Sequence, residues 1–173
     1  EPAKRERIAK ATFQSPVWDE RDRGLYEEDV YLKQFQELDP QDAEDIEKVI
    51  KGSGQTIRKR PYADTWVKYL KSKGYHVYIL SNYSSYMLDH TKKELTFRRE
   101  MDGEVFSCYA KQLKPDAEIY QTILNKYQLK PEECVFIDDR PENCRGAQEQ
   151  GIHTICFKDF KQVTADLEKL GVK

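Results

Sequence analysis

From Pro61 onward the chain repeats one pattern: a short apolar run, a stretch of helical periodicity, then another apolar run. His76-Val77-Tyr78-Ile79-Leu80, Val105-Phe106-Ser107-Cys108-Tyr109, Cys134-Val135-Phe136-Ile137 and Thr154-Ile155-Cys156-Phe157 read as strands. They are near-continuously apolar, as strands covered on both faces are, and such strands belong to parallel sheets sandwiched by helices. Ala63, Trp66, Val67 and Leu70 give the first intervening helix its apolar face, with Pro61 suited to its first turn and Lys73-Gly74 closing it. Further helices are predicted from Glu118 to Tyr127, from Asn143 to Gln150 and from Val163 to Leu170. The pattern predicts an α/β fold: a Rossmann-like parallel sheet covered by helices.

Ahead of it, from Arg5 to about Gly54, periodicity is helical and no strand signal occurs. Ile8, Ala11, Thr12 and Ser15 share a helical face that Pro16 interrupts; Leu25, Val30, Leu32, Phe35 and Leu38 form a second segment. Asp39-Pro40 is a turn, and a third helix from Asp42 ends near Gly52-Ser53-Gly54. The expected division is a small all-helical module over residues 1–56 and an α/β core over 57–173.

Composition narrows the functional classes. Charged residues make up 35% of the 173 and the formal net charge is −2, with both signs interspersed, so no basic nucleic-acid footprint is indicated. No apolar stretch approaches the ~20 residues a membrane helix needs. Cys108, Cys134, Cys144 and Cys156 are widely spaced, with no Cys-x-x-Cys pair. Isolated thiols of a reducing compartment fit better than a zinc site or a disulfide frame, which favours the cytoplasm.

In open parallel sheets ligands bind beyond the carboxyl ends of the strands. Ser81-Asn82 follows the first run, Lys114-Pro115 lies in the loop after the second, and Asp138-Asp139 follows the third. Each has a bland reading alone: a turn or cap for Ser81-Asn82, a surface lysine for Lys114, a helix-capping turn for Asp138-Asp139. Together, at successive strand ends, they supply a hydroxyl and amide, an ammonium and hard oxygen ligands. That set suits a phosphoryl group with Mg²⁺, which takes one or two carboxylates plus waters and phosphate oxygens. No Gly-x-Ser-x-Gly elbow or phosphate-binding Gly-Lys-Ser/Thr loop is present.

These segments carry a family likeness. Ile79-Leu80-Ser81-Asn82, Leu113-Lys114-Pro115-Asp116-Ala117-Glu118-Ile119-Tyr120 and Cys134-Val135-Phe136-Ile137-Asp138-Asp139-Arg140-Pro141-Glu142-Asn143, followed by Gly146-Ala147, resemble the second, third and fourth motifs of haloacid dehalogenase-like hydrolases. The helical module with Asp22-Arg23-Gly24 looks like the small cap of that family, and the nearest branch resembles bacterial phosphatases of sugar phosphates. The resemblance implies that Ser81 holds a phosphoryl oxygen, with Asn82 contributing donors beside it. It makes Lys114 the neutralising cation, Asp139 the direct Mg²⁺ ligand, Asp138 a second or water-mediated one, and Asn143 a support of the metal shell. Trp18 and Tyr26 are candidate cap contacts for substrate, with core packing the better reading. Related sequences often carry glycine where Lys111 stands. The Asp138-Asp139 pair favours phosphate ester hydrolysis over carbon–halogen cleavage.

The family's first motif, an apolar strand ending in the aspartate that attacks phosphorus, has no counterpart ahead of the helical module. The resemblance therefore implies a core whose central first strand, with the nucleophile, lies upstream of Glu1. An N-terminal fragment or self-association would complete the sheet. The expected function is Mg²⁺-dependent hydrolysis of a small phosphorylated metabolite through an aspartyl-phosphate. The alternative is a non-catalytic phosphate-binding or interaction protein on a degenerate fold.

Overall fold

The computed structural model describes residues 1–172. Four helices come first: α1 (Pro2–Ala11), α2 (Pro16–Arg23), α3 (Glu28–Leu38) and α4 (Ala43–Gly52). Then follow α5 (Ala63–Ser72), β1 (Tyr78–Ser81), α6 (Ser85–His90), β2 (Gly103–Phe106), α7 (Ser107–Ala110) and α8 (Ala117–Tyr127). The chain ends with β3 (Val135–Asp138), α9 (Pro141–Glu149), β4 (His153–Cys156) and α10 (Phe160–Lys169). Two compact units result, each drawn from several stretches of chain.

The first unit comprises Glu1–Pro61, Asn82–Thr96 and Phe106–Lys111. Its core is Ala11, Tyr31, Phe35, Ile46 and Ile50, with Ile8, Val17, Trp18 and Leu32 packed against it. Pro16 opens α2, where its fixed φ suits a first helical turn. Gly24 ends that helix in the left-handed conformation at φ 70°. A Cβ there would come within 3.0 Å of Cys108 Cβ, so glycine serves both the turn and the contact. The Arg21 side chain is fully buried, forked onto Glu28 at 2.6–3.0 Å and flanked by the Trp18 and Tyr86 rings, each at 5.1 Å.

The second unit comprises Tyr62–Ser81, Phe97–Val105 and Gln112–Lys173. β3 and β4 pair in parallel, with Val135 opposite His153 and Asp138 opposite Cys156. One face of β3 sends Val135 and Ile137 into a cluster with Ile155, Val163, Leu167, Trp66 and Phe160. The other face presents Phe136, which meets Tyr120 of α8 edge-on at 5.6 Å. Helices thus cover both faces, which is why the strand is apolar at successive positions. Among the described residues the strands form two two-stranded sheets, β1 with β2 and β3 with β4.

The second strand departs from its predicted span. It covers Gly103–Phe106, and the chain turns helical at Ser107 instead of continuing through Tyr109. Ser107 is fully buried; its hydroxyl donates to the Asp22 carbonyl at 2.6 Å and accepts from the Tyr83 N–H at 2.8 Å. These tertiary hydrogen bonds outweigh the strand propensity of the local sequence.

Candidate active site

The site is assembled around Asp138, the last residue of β3. Its Oδ1 accepts from the Arg140 N–H two residues on and from Asn143 Nδ2 in the first turn of α9, both at 2.9 Å. Oδ2 accepts from Lys114 Nζ at 2.6 Å. Lys114 Nζ also donates to the Leu80 carbonyl of β1 at 3.0 Å and lies 5.2 Å from the centre of the Phe136 ring. The Asp138 and Lys114 side chains retain 8% and 7% of their exposure. Charges so far removed from water persist only when paired and hydrogen-bonded. Lys114 is therefore fixed at the carboxyl ends of β1 and β3 together.

The loop bearing Lys114 is positioned by a close approach to α9. At Gly146 a Cβ would lie 2.4 Å from the Pro115 carbonyl oxygen and 3.1 Å from Tyr120, so only glycine admits this contact. Tyr120, itself buried, donates its hydroxyl to the Asn143 carbonyl at 2.8 Å, and burial pushes its phenol well above the ordinary range. α8, α9 and the Lys114 loop are thus locked to one another.

Ser81 ends β1, directly after the Leu80 carbonyl that holds Lys114, so Ser81, Lys114, Asp138 and Asp139 share one rim of the second unit. Asn82 follows Ser81 in the chain and belongs to the first unit. Asp139 is exposed at the start of the turn into α9. Among the described residues no group of three or more His, Cys, Asp or Glu side chains is placed to hold an ion. Burial holds the Cys144 thiol up to about 11, so it is protonated beside this loop and not a thiolate ligand.

The donor set suits a hard cation that is completed by water and phosphate. Asp139 offers an accessible carboxylate, and Asn143 Oδ1 is a buried oxygen with no hydrogen-bond partner in the structure. One or two carboxylates are what Mg²⁺ ordinarily takes from protein.

Other residues singled out by sequence lie elsewhere. Trp18 packs in the core of the first unit, 4.8 Å from Phe13 and 6.3 Å from Phe35, whereas Tyr26 is exposed. Lys111 adopts φ 60° and donates its ammonium to the Gly24 carbonyl. The glycine of related sequences suits that left-handed backbone. Sequence reasoning passed over the Leu80 carbonyl and the role of Gly146. Neither has a side-chain signature, although an Asp two residues before a backbone N–H donor is a readable Asx-turn signal for the Asp138–Arg140 bond.

An α/β unit with charged groups gathered at its strand ends defines a class of hydrolytic and ligand-binding enzymes. Residues 4–151 match the haloacid dehalogenase-like hydrolase family model, and the chain belongs to that family. It is 26% identical over 159 residues to flavin mononucleotide hydrolase 1 of Arabidopsis thaliana, covering 90% of this chain and 62% of that protein. It is 24% identical over 157 residues to the sesquiterpene phosphatase astK of Aspergillus oryzae, covering 90% and 80%. The fold is shared with a haloacid dehalogenase family enzyme of Bacteroides thetaiotaomicron solved with magnesium and inorganic phosphate. That likeness has a TM-score of 0.70 at 22% identity, covering 91% of this chain and 88% of that one.

Proposed function

We propose that this hydrolase cleaves small phosphomonoesters, of the sugar-phosphate kind, with Mg²⁺ bound at Asp139. The observation that carries the reading is the buried Lys114 ammonium, held between the Leu80 carbonyl and Asp138 beside the exposed Asp139 carboxylate. A point charge fixed in a water-poor rim stabilises negative charge developing on a transferring phosphoryl group without having to reorganise. Ser81 donates its hydroxyl to a phosphoryl oxygen, and Asn82 adds amide donors. Asp138 orients Lys114, since both its oxygens are already engaged, and reaches a cation only through water. Asn143 supports the shell through its unsatisfied Oδ1. When bound, Mg²⁺ would supply Lewis-acid polarisation of the phosphoryl oxygens. The attacking carboxylate, which would form the aspartyl-phosphate, is assigned to an aspartate outside residues 1–172. The phosphatase relatives and the magnesium–phosphate complex of the Bacteroides enzyme support this reading.

Titrating Mg²⁺ into the chain with inorganic phosphate present tests it. Saturable binding is expected, weakened at least about tenfold for Mg²⁺ by Asp139→Asn and for phosphate by Lys114→Met, about 1.4 kcal/mol each. Unchanged binding in both variants would refute the assignment. Binding that persists without turnover, in a protein carrying the nucleophile strand, favours a phosphate-binding protein instead.

A further inference from the structure

The turn that carries Asp138 and Asp139 is bordered by two thiols. Cys144 lies in α9, and Cys156 ends β4 opposite Asp138 in the strand register. Cys144 Sγ meets the Asp138 carbonyl at 3.5 Å, and Cys156 Sγ meets the Asp139 carbonyl at 3.9 Å. Sulfurs seated on consecutive carbonyls are neighbours, and the two thiols also hydrogen-bond to each other. Cys144 is buried, Cys156 is half-buried, and both are free. Cys134, just before the other end of β3, meets the Lys130 carbonyl instead.

Two adjacent thiols can share a metal ion, pack as small apolar groups or close a disulfide. A thiolate metal site needs further ligands, and among the described residues no group of three or more His, Cys, Asp or Glu is placed to hold an ion. Packing alone asks neither thiol to stay accessible, whereas Cys156 keeps part of its surface open to solvent. Closing a disulfide would bring the sulfurs to about 2 Å and remove both S–H donors. The change reaches Asp138 directly. Asn143, next to Cys144, donates to Asp138 Oδ1 at 2.9 Å. The Phe157 N–H, next to Cys156, donates to the Asp138 carbonyl at 2.8 Å. The chain neighbours of both cysteines thus grip Asp138, one by its side chain and one by its backbone.

We infer that Cys144 and Cys156 are an oxidation site for hydrogen peroxide, and that their disulfide displaces the Asp138-Asp139 turn. The Cys156 sulfur, the one open to solvent, attacks the peroxide O–O bond and becomes a sulfenic acid. Its thiol proton leaves with the departing oxygen as water. Cys144 Sγ then attacks that sulfur, the S–S bond forms, and the hydroxyl departs with the Cys144 proton as a second water. Two thiols are oxidised by two electrons in all, and one peroxide is reduced to two waters. A dithiol reductant reverses the bond by exchange. The disulfide and the displaced turn stand on the thiol geometry; the weaker hold on Mg²⁺ that follows rests on the reading of Asp139 as its ligand.

The test treats the full chain with hydrogen peroxide under native conditions. A non-reducing glutamate-specific digest, which parts Cys134 from Cys144 at Glu142, should contain a Cys144–Cys156 cross-link that dithiothreitol removes. In Cys144→Ala the sulfenic acid should remain on Cys156 and be captured by dimedone. The Arg140 amide proton resonance should move upfield on oxidation, as its bond to Asp138 Oδ1 weakens. Mg²⁺ affinity should fall at least about tenfold, as when a ligand loses its outer support. Absence of the cross-link, a cross-link through Cys134 or between chains, or an unmoved Arg140 resonance would overturn the inference. So would equal Mg²⁺ affinity in both forms of a chain in which Asp139→Asn weakens it. Reduced protein that binds no Mg²⁺, yet gives the cross-link and the Arg140 shift, would refute the phosphatase assignment and uphold the oxidation site.

Discussion

Removing both Asp138 and Lys114 should cost far less than the sum of the two single removals. Lys114→Met leaves the Asp138 carboxylate buried but still accepting from the Arg140 N–H and Asn143 Nδ2. With those two donors retained, the loss should be about 2–3 kcal/mol, below the ~3–5 kcal/mol typical of a broken buried pair. Asp138→Asn is worse placed. Its amide oxygen can still accept from Arg140 and Asn143, but its NH₂ then faces the Lys114 ammonium. That ammonium keeps the Leu80 carbonyl and the Phe136 ring but loses its carboxylate while buried, so about 3–5 kcal/mol should be lost. In the double variant the amide meets a thioether, no charge is stranded, and the loss should return to about 2–3 kcal/mol. The coupling is thus about 4 kcal/mol, well beyond the ~0.5 kcal/mol scatter of independent sites. Urea denaturation in a Trp18→Phe background measures it, with Trp66 as the reporter. Phe160 packs edge-on against Trp66 at 5.2 Å in the same unit as the pair. Additive losses would show that Lys114 is not held by Asp138 and would remove the basis for assigning Asp138 a positioning role.

Two further expectations concern other parts of the chain. Gly146→Ala drives a methyl into the Pro115 carbonyl, so it should cost about 1–3 kcal/mol and weaken phosphate binding by displacing Lys114; wild-type urea midpoint and affinity would refute it. Lys4, then Lys48, holds the Asp45 carboxyl down to about 2, so its contribution is complete above its ordinary value near 4 and is lost as pH falls through about 2. Near-ultraviolet circular dichroism across that acid range should show a step that Asp45→Asn removes, and superimposable curves would contradict the pairing.

The layering of the core was legible because burial on both faces imposes apolar runs at β1, β3 and β4, and helices announce themselves by period. The rim was legible for the same reason: once strand ends are located, Ser81, Lys114 and Asp138-Asp139 follow by chain order. What sequence could not supply were interactions made by backbone or by distant partners. Nothing in the letters around Ser107 announces that its hydroxyl joins the Asp22 carbonyl and the Tyr83 N–H, so the strand was expected to run too far. The resemblance made Asp138 a second or water-mediated Mg²⁺ ligand, and the letters alone did not show which protein groups its oxygens meet. The structure gives both of its oxygens protein partners, Arg140 and Asn143 on Oδ1 and Lys114, 24 residues away, on Oδ2.

The hydroxyl of Ser107 also sets an order of events in folding. It links the end of α2, the segment after β1 and the start of α7, across separations of 85 and 24 residues. The first unit therefore cannot close when its leading helices have formed; it waits for residues 82–96 and 106–111. During synthesis the helices of residues 1–61 would leave the ribosome with part of their burial still missing, a high-contact-order arrangement that slows folding and prolongs exposure of apolar surface. Expression of residues 1–61 alone should accordingly yield a loosely packed helical species. The natural seam of this chain is spatial and not sequential.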